Sequence, residues 1–193
     1  MQLVFATHNS NKVKEIASLL PDNFHLLSLT DIQFDEEIAE TADTLAGNSK
    51  LKAHTIYQKT GFSCFADDTG LEVESLNNRP GVFSARYAGE HKSDEDNINK
   101  VLTELENEVN RKARFRTVIT LILDGAEFQF EGLVNGKLIS AKKGESGFGY
   151  DPIFVPENEN RTFGEMNINE KNNFSHRARA FNSMIRFLAN RES

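Results

Sequence analysis

The sequence has little that could staple or anchor it. It holds one cysteine and no tryptophan in 193 residues. A single thiol, Cys64, excludes an intrachain disulfide and fits a reducing compartment, so the cytoplasm is the expected location. Only four prolines occur, and no Pro/Gly/Ser-rich run marks a linker between domains. The longest strongly hydrophobic stretch, Val118 to Leu123, falls far short of the roughly 20 apolar residues that cross a bilayer. The start, Met1-Gln2-Leu3-Val4-Phe5-Ala6-Thr7-His8, has no basic region and does not read as a signal peptide. Basic residues are outnumbered, with 22 Lys and Arg against 29 Asp and Glu and a net charge of −7. A nucleic-acid partner needs a positive face, so neither nucleic acid nor membrane is expected as a partner. A small anion held by a few local cations, or by Mg²⁺, is compatible with this balance.

What is present describes a globular protein, with 38% hydrophobic and 26% charged residues. At roughly 150 residues per domain the length gives one domain, with room for two lobes. A chain of this size buries about 70% of its unfolded surface, enough for a core without staples. Leu3–Ala6 reads as a buried strand, followed by a helix with Val13, Ile16, Ala17 and Leu20 on one face. Phe24–Leu29 reads as a second strand, Thr44 to Lys59 as a helix ending at Gly61, and Phe62–Ala66 as a strand ending at Asp67-Asp68-Thr69-Gly70. Asp94 to Val109 reads as a helix. Arg114–Leu123 and Glu127–Val134 flank Asp124-Gly125, a hairpin signal. An apolar stripe from Phe174 to Leu188 gives a C-terminal helix. Strands alternate with helices while one hairpin is antiparallel, so the fold class is α/β with a mixed sheet.

Four segments hold residue types that can do chemistry. Thr7-His8-Asn9-Ser10-Asn11-Lys12 joins a strand to a helix, where free N–H groups, short polar donors and a lysine can cradle phosphate; capping of the helix by Asn9 or Ser10 is the alternative. Asp67-Asp68 places two carboxylates after an apolar strand. Alternation sends them to opposite faces, so one reaches a site and the other braces backbone; an Asx turn is the alternative. Gly147-Phe148-Gly149-Tyr150-Asp151-Pro152 offers close backbone approach, a stacking ring and an acceptor, or else an ordinary turn. Lys171 precedes Ser175-His176-Arg177, which puts two cations in the first turn of a helix, where the macrodipole disfavours them and nothing adjacent in sequence compensates; a bound anion or ligand oxygen would, and solvated charge on an exposed turn is the alternative. Asp94-Glu95-Asp96 reads as the favourable acidic start of a helix.

In this order the segments resemble the inosine/xanthosine triphosphate pyrophosphatase family. Arg79-Pro80-Gly81 and Ser84-Ala85-Arg86-Tyr87 add to the match, which covers nearly the whole chain. The resemblance implies an elongated mixed sheet flanked by helices, two lobes around a nucleotide cleft, one domain over residues 1–193, and a homodimer. It implies Mg²⁺-dependent hydrolysis of ITP, dITP and XTP to monophosphate and pyrophosphate. By the same resemblance residues 7–12 (Thr7, His8, Asn9, Ser10, Asn11, Lys12) hold phosphates. Asp68 is a Mg²⁺ ligand and the water-activating base, and Lys52, Thr69 and Lys171 contact the nucleotide. Phe148, Gly149, Tyr150, Asp151, His176 and Arg177 line the base pocket. The family's two consecutive glutamates before Thr41 are here Ala39 and Glu40, so the second metal contact falls to Glu40, Glu37 or water. The alternatives to this reading are a related-fold pyrophosphatase for other modified nucleotides and a non-catalytic nucleotide sensor.

Overall fold

The structure, a computed structural model, describes residues 1–191. The last two residues of the expected domain lie outside them. The elements in chain order are β1 (Gln2–Phe5), α1 (Ser10–Ala17), β2 (His25–Leu27), α2 (Leu45–Thr60), β3 (Cys64–Val73), β4 (Arg79–Pro80), α3 (Asp94–Glu104), β5 (Lys112–Leu123), β6 (Ala126–Leu138), β7 (Phe154–Pro156), α4 (Ile168–Asn172) and α5 (His176–Ala189). The strand order is β2-β1-β3-β5-β6-β7, with β4 paired to β3. β1 is parallel to β2 and β3, whereas β3–β4 and β6–β7 are antiparallel, so the sheet is mixed as expected.

The chain forms two compact units. The first comprises Met1–Asp68, Thr117–Gly132 and the chain from Arg177 on; the second comprises Thr69–Arg116 and Leu133–His176. In the first unit, strand alternation divides the core. Leu3, Phe5 and Phe65 point to one side and pack with Ile16 of α1 and Ala180, Phe181, Met184 and Leu188 of α5. Val4, Ala6, Cys64 and Ala66 point to the other side, where Ala53 and Ile56 of α2 cover them. Burial pushes the Cys64 thiol up to about 12, so it packs as a small apolar group. In the second unit the core is Leu71 and Val73, Ile98 and Val101 of α3, and a cluster of rings that includes Phe115, Phe154 and Phe163.

Caps explain several boundaries. Asn9 accepts from the amides of Asn11 and Lys12 at the start of α1, and Thr44 accepts from Gly47 at the start of α2. α2 ends where Gly61 adopts φ +72°, and the β5–β6 turn places Asp124 and Gly125 at φ +49° and +83°. Three expectations need correction. β3 does not stop before Asp67 but runs on to Val73, because apolar alternation resumes at Leu71 and Val73 once both carboxylates have partners. The alternative, an Asx turn at Asp67-Asp68, is therefore absent. α3 ends at Glu104 rather than Val109, which is 98% exposed and contributes nothing to a buried stripe. The C-terminal stripe divides, with Phe174 lying in the link between α4 and α5.

Gly70 lies where β3 passes close to the turn after β4: a Cβ there would sit 2.5 Å from the Gly81 carbonyl oxygen. Backbone cannot yield as a flexible side chain would. Gly70→Ala is expected to destabilise the protein by roughly 1–3 kcal/mol, read as a lowered urea midpoint; an unchanged midpoint would show that the approach is loose.

Candidate active site

The first unit gathers buried charge around neighbouring residues of β3. Asp67 shares the Phe65 side of the strand and meets α1 and α5. Lys12 Nζ donates to its Oδ1 at 2.9 Å, and Arg177 Nε donates to its Oδ2 at 3.0 Å. Arg177 also donates through Nη1 to the Glu15 carboxylate. Arg177 and Asp67 are each 1% exposed and Glu15 is 4% exposed. Two carboxylates thus face two cations, the condition under which buried charge is tolerable. Burial would raise the Asp67 pKa, but Lys12 and Arg177 outweigh it and hold the carboxyl far below the usual range. Burial likewise opposes charge on Arg177, yet Glu15 and Asp67 raise its pKa further. These carboxylates compensate the cation that the sequence around residue 177 leaves unbalanced.

Asp68 points to the opposite side, toward α2. Asn48 and Lys52, one turn apart on that helix, take one oxygen each: Asn48 Nδ2 donates to Oδ2 at 3.3 Å and Lys52 Nζ to Oδ1 at 3.4 Å. Lys52 Nζ also donates to Glu40 Oε1 at 2.7 Å. Asn48, fully buried, accepts from the Ala42 amide at 2.9 Å and so ties the Glu40 segment to the same helix. Burial raises the Asp68 pKa, only partly offset by Lys52 and Lys12. On Lys52, burial is outweighed by Asp68 and Glu40, and its pKa is raised. For Lys12 burial prevails over Asp67, and its pKa is lowered.

Residues 7–12, expected to hold phosphates, are more committed than their sequence suggests. The Asn9 side chain already satisfies the Asn11 and Lys12 amides. Thr7 Oγ1 accepts from Asn9 N at 3.2 Å, and His8 Nε2 lies 3.0 Å from the Glu36 carbonyl oxygen. The side chains of His8, Ser10 and Asn11 face solvent.

In the second unit, Asp151 is 1% and Lys171 3% exposed. Lys171 Nζ donates to Asp151 Oδ2 at 2.6 Å and lies 5.2 Å from the centres of both the Phe148 and Phe163 rings. Asp151 Oδ2 also accepts from the Phe148 amide at 3.0 Å. Gly147 adopts φ +78°, and a Cβ there would strike Asp151 Oδ2 at 2.1 Å, so no other residue fits. Tyr150 is buried and donates to the Ser84 carbonyl at 2.9 Å. His176 is 2% exposed and stacks on Phe115 with ring centres 4.6 Å apart. Thr69 is half-buried at the point where β3 enters this unit.

The structure therefore brings Lys12, Asp67 and Arg177 into one network and Glu40, Lys52 and Asp68 into another. It joins Lys171 to Phe148 and Asp151. Asp67 holds two side-chain cations, a larger task than bracing a loop. Sequence reasoning missed Glu15 and Asn48. The signal for Glu15 was its position three residues after Lys12, which places both on one face of α1. For Asn48 the signal was an amide four residues before Lys52.

The chain is thus an α/β protein whose mixed sheet carries a buried carboxylate held by a lysine and an amide. The Ham1 family matches residues 3–187, and the chain belongs to it. The chain is 53% identical over 190 residues to the dITP/XTP pyrophosphatase of Flavobacterium psychrophilum, covering 98% of this chain and all of that protein. It is 42% identical over 191 residues to the dITP/XTP pyrophosphatase of Bacillus subtilis, covering 97% and 96% respectively. Among solved structures, the Staphylococcus aureus Ham1 protein superposes with a TM-score of 0.89 at 38% identity, covering 99% of this chain and 100% of that one.

Because folding lowers the Asp67 pKa, its ionised form stabilises the fold above the unfolded value near 3.8, and that contribution is lost as pH falls below it. Asp67→Asn leaves Lys12 and Arg177 short of a carboxylate and is expected to cost about 3 kcal/mol at pH 7. In urea unfolding the gap between wild type and variant should narrow as pH falls from about 5 to about 2. A gap independent of pH would contradict the ion-pair reading of Asp67.

Proposed function

We propose that this chain hydrolyses nonstandard purine nucleoside triphosphates, dITP and XTP among them, to the monophosphate and pyrophosphate. The observation that carries the reading is the held carboxylate of Asp68. One oxygen is fixed by Asn48 and the other by Lys52, which orients the carboxylate for a water that it would deprotonate. Relatives named dITP/XTP pyrophosphatase that match almost end to end support the substrate class.

In this reading Asp68 takes a proton from a water whose oxygen attacks the α-phosphorus. The bond to the bridging oxygen breaks and pyrophosphate leaves with the electron pair. Lys12 and Lys52 offset the triphosphate charge. Thr69 contacts the nucleotide, and Phe148, Asp151, Lys171 and His176 serve base recognition, whereas Arg177, expected in the base pocket, is committed to Asp67 and Glu15 in the first unit. Inosine and xanthine carry an acceptor at position 6 where adenine carries a donor, so a donor aimed there accepts the first two and rejects the third.

Among the described residues no cluster of three or more His, Cys, Asp or Glu side chains could hold a metal. Asp68 and Glu40 nevertheless meet the same Lys52 ammonium, so two carboxylates lie close enough to share one cation. Mg²⁺ takes one or two carboxylates and completes its shell with phosphates and water, and this donor set fits it. Bound there, Mg²⁺ would stabilise charge on the phosphates. We extend the proposal to a homodimer, which rests on the family resemblance, and to the cytoplasm, which the single cysteine fits.

Pyrophosphate release from dITP, XTP and dATP, with and without Mg²⁺, tests the activity. Asp68→Asn should lower kcat/KM for dITP by roughly 10²–10⁴-fold, with folding retained by circular dichroism. Full activity in that variant would remove Asp68 as the base. Glu40→Gln should raise the Mg²⁺ concentration needed for half-maximal rate by about 10-fold, and calorimetric titration of Mg²⁺ into the enzyme with a nonhydrolysable triphosphate should weaken in parallel. An unchanged Mg²⁺ requirement would place the second metal contact elsewhere.

A further inference from the structure

The acidic start of α3 does more than favour a helix N-terminus. Ser93 caps the helix by accepting from the Asp96 amide, so Asp94 is not needed for that task. Asp94 Oδ2 instead accepts from the Gly149 amide at 2.7 Å, across 55 residues of sequence. The preceding amide, that of Phe148, is taken by Asp151 Oδ2 at 3.0 Å. Two consecutive amides of the glycine-rich segment are thus held by two carboxylates from different parts of the second unit. Glu95, next along α3, receives Lys142 Nζ at 2.5 and 2.6 Å, which ties the stretch leading into this segment to the same helix turn.

The segment needs such restraint. Gly147 and Gly149 occupy positive φ, at +78° and +59°, where the backbone has no side chain to limit it. Between them Phe148 is half-buried and presents its ring beside Lys171. The ring direction follows from the peptide planes on either side of it. Asp151 fixes one of these planes and Asp94 the other. A charge-assisted N–H···O⁻ bond is among the stronger single restraints on a loop.

We propose that Asp94 is a positioning residue for base recognition: through the Gly149 amide it holds Phe148 in the orientation that receives the purine. This inference rests on the reading of residues 148–151 as the base-recognising segment. Asp94 touches no reacting atom. It acts on KM for nucleotides and on the choice between bases, and leaves the chemical step alone.

The test compares wild type, Asp94→Ala and Asp94→Asn in steady-state kinetics with dITP and dATP, and with inorganic tripolyphosphate as competitive inhibitor. Asp94 is exposed, so both variants should fold, which thermal melting checks. Asp94→Ala should raise KM for dITP by roughly 5- to 20-fold, in line with losing one hydrogen bond to a charged group. Its kcat should stay within about 2-fold and the dITP-to-dATP preference should shrink. Asn keeps a side-chain oxygen acceptor, so Asp94→Asn should recover most of the loss. Tripolyphosphate carries no base, and its inhibition constant should not change. An unchanged KM in Asp94→Ala, or a parallel weakening of dITP and tripolyphosphate, would overturn the proposal while leaving the proposed function intact. A wild type with no preference for dITP over dATP would instead overturn the base-recognition reading, and this proposal with it.

Discussion

Within the first unit, the pairing of Asp67 with Lys12 and Arg177 is the constraint on which the surrounding arrangement depends. It ties the middle of β3 to the first turns of α1 and α5, and Glu15 closes the network from the α1 side. Each of these charges would be costly where it lies if its partners were missing. An ordinary apolar contact would allow α1 and α5 to slide along the sheet. A buried, directional, charge-matched contact specifies one register, because any shift leaves a carboxylate or a guanidinium unmatched in a dry interior.

With Asp67 committed to that face, strand alternation leaves Asp68 on the other, and the two carboxylates acquire opposite properties from the same strand. Cations drive one far below the usual range, where it remains ionised and structural. Burial raises the pKa of the other, which is held by an amide and an ammonium. A glutamate on the segment tied to the same helix shares that ammonium. Adjacent residues of one type thus acquire different surroundings, and in the proposed function different tasks, from the alternation of one strand.

Much of this was legible beforehand. The mixed α/β class followed from alternating apolar runs and one Asp-Gly turn, and the opposite facing of Asp67 and Asp68 followed from the two-residue period of a strand. The continuation of β3 beyond the carboxylates was not legible, because it depends on partners from α1, α2 and α5 that lie 16 to 110 residues away in sequence. The same distance hid the role of Glu15: its spacing from Lys12 was visible, but its partner Arg177 stands 162 residues downstream. Lys171 was expected as a nucleotide contact from the family resemblance. Its contacts with Asp151 and two phenylalanine rings reflect shape and burial, which composition does not encode. Asp94 read as a favourable helix start, and that reading was sound but incomplete, since a carboxylate at a helix end can also accept from a loop brought to it by the fold.

The segment from Gly147 to Asp151 is held by its main chain. Asp94 and Asp151 grip amide groups, which every residue but proline possesses, and Gly147 keeps clear of the Asp151 carboxylate by having no side chain. The hydrogen bonds of this frame therefore do not draw on the side chain at position 148, whose ring meets the Lys171 ammonium instead. Under the proposed function, the recognised surface at this position can therefore change while the main-chain frame that presents it is kept.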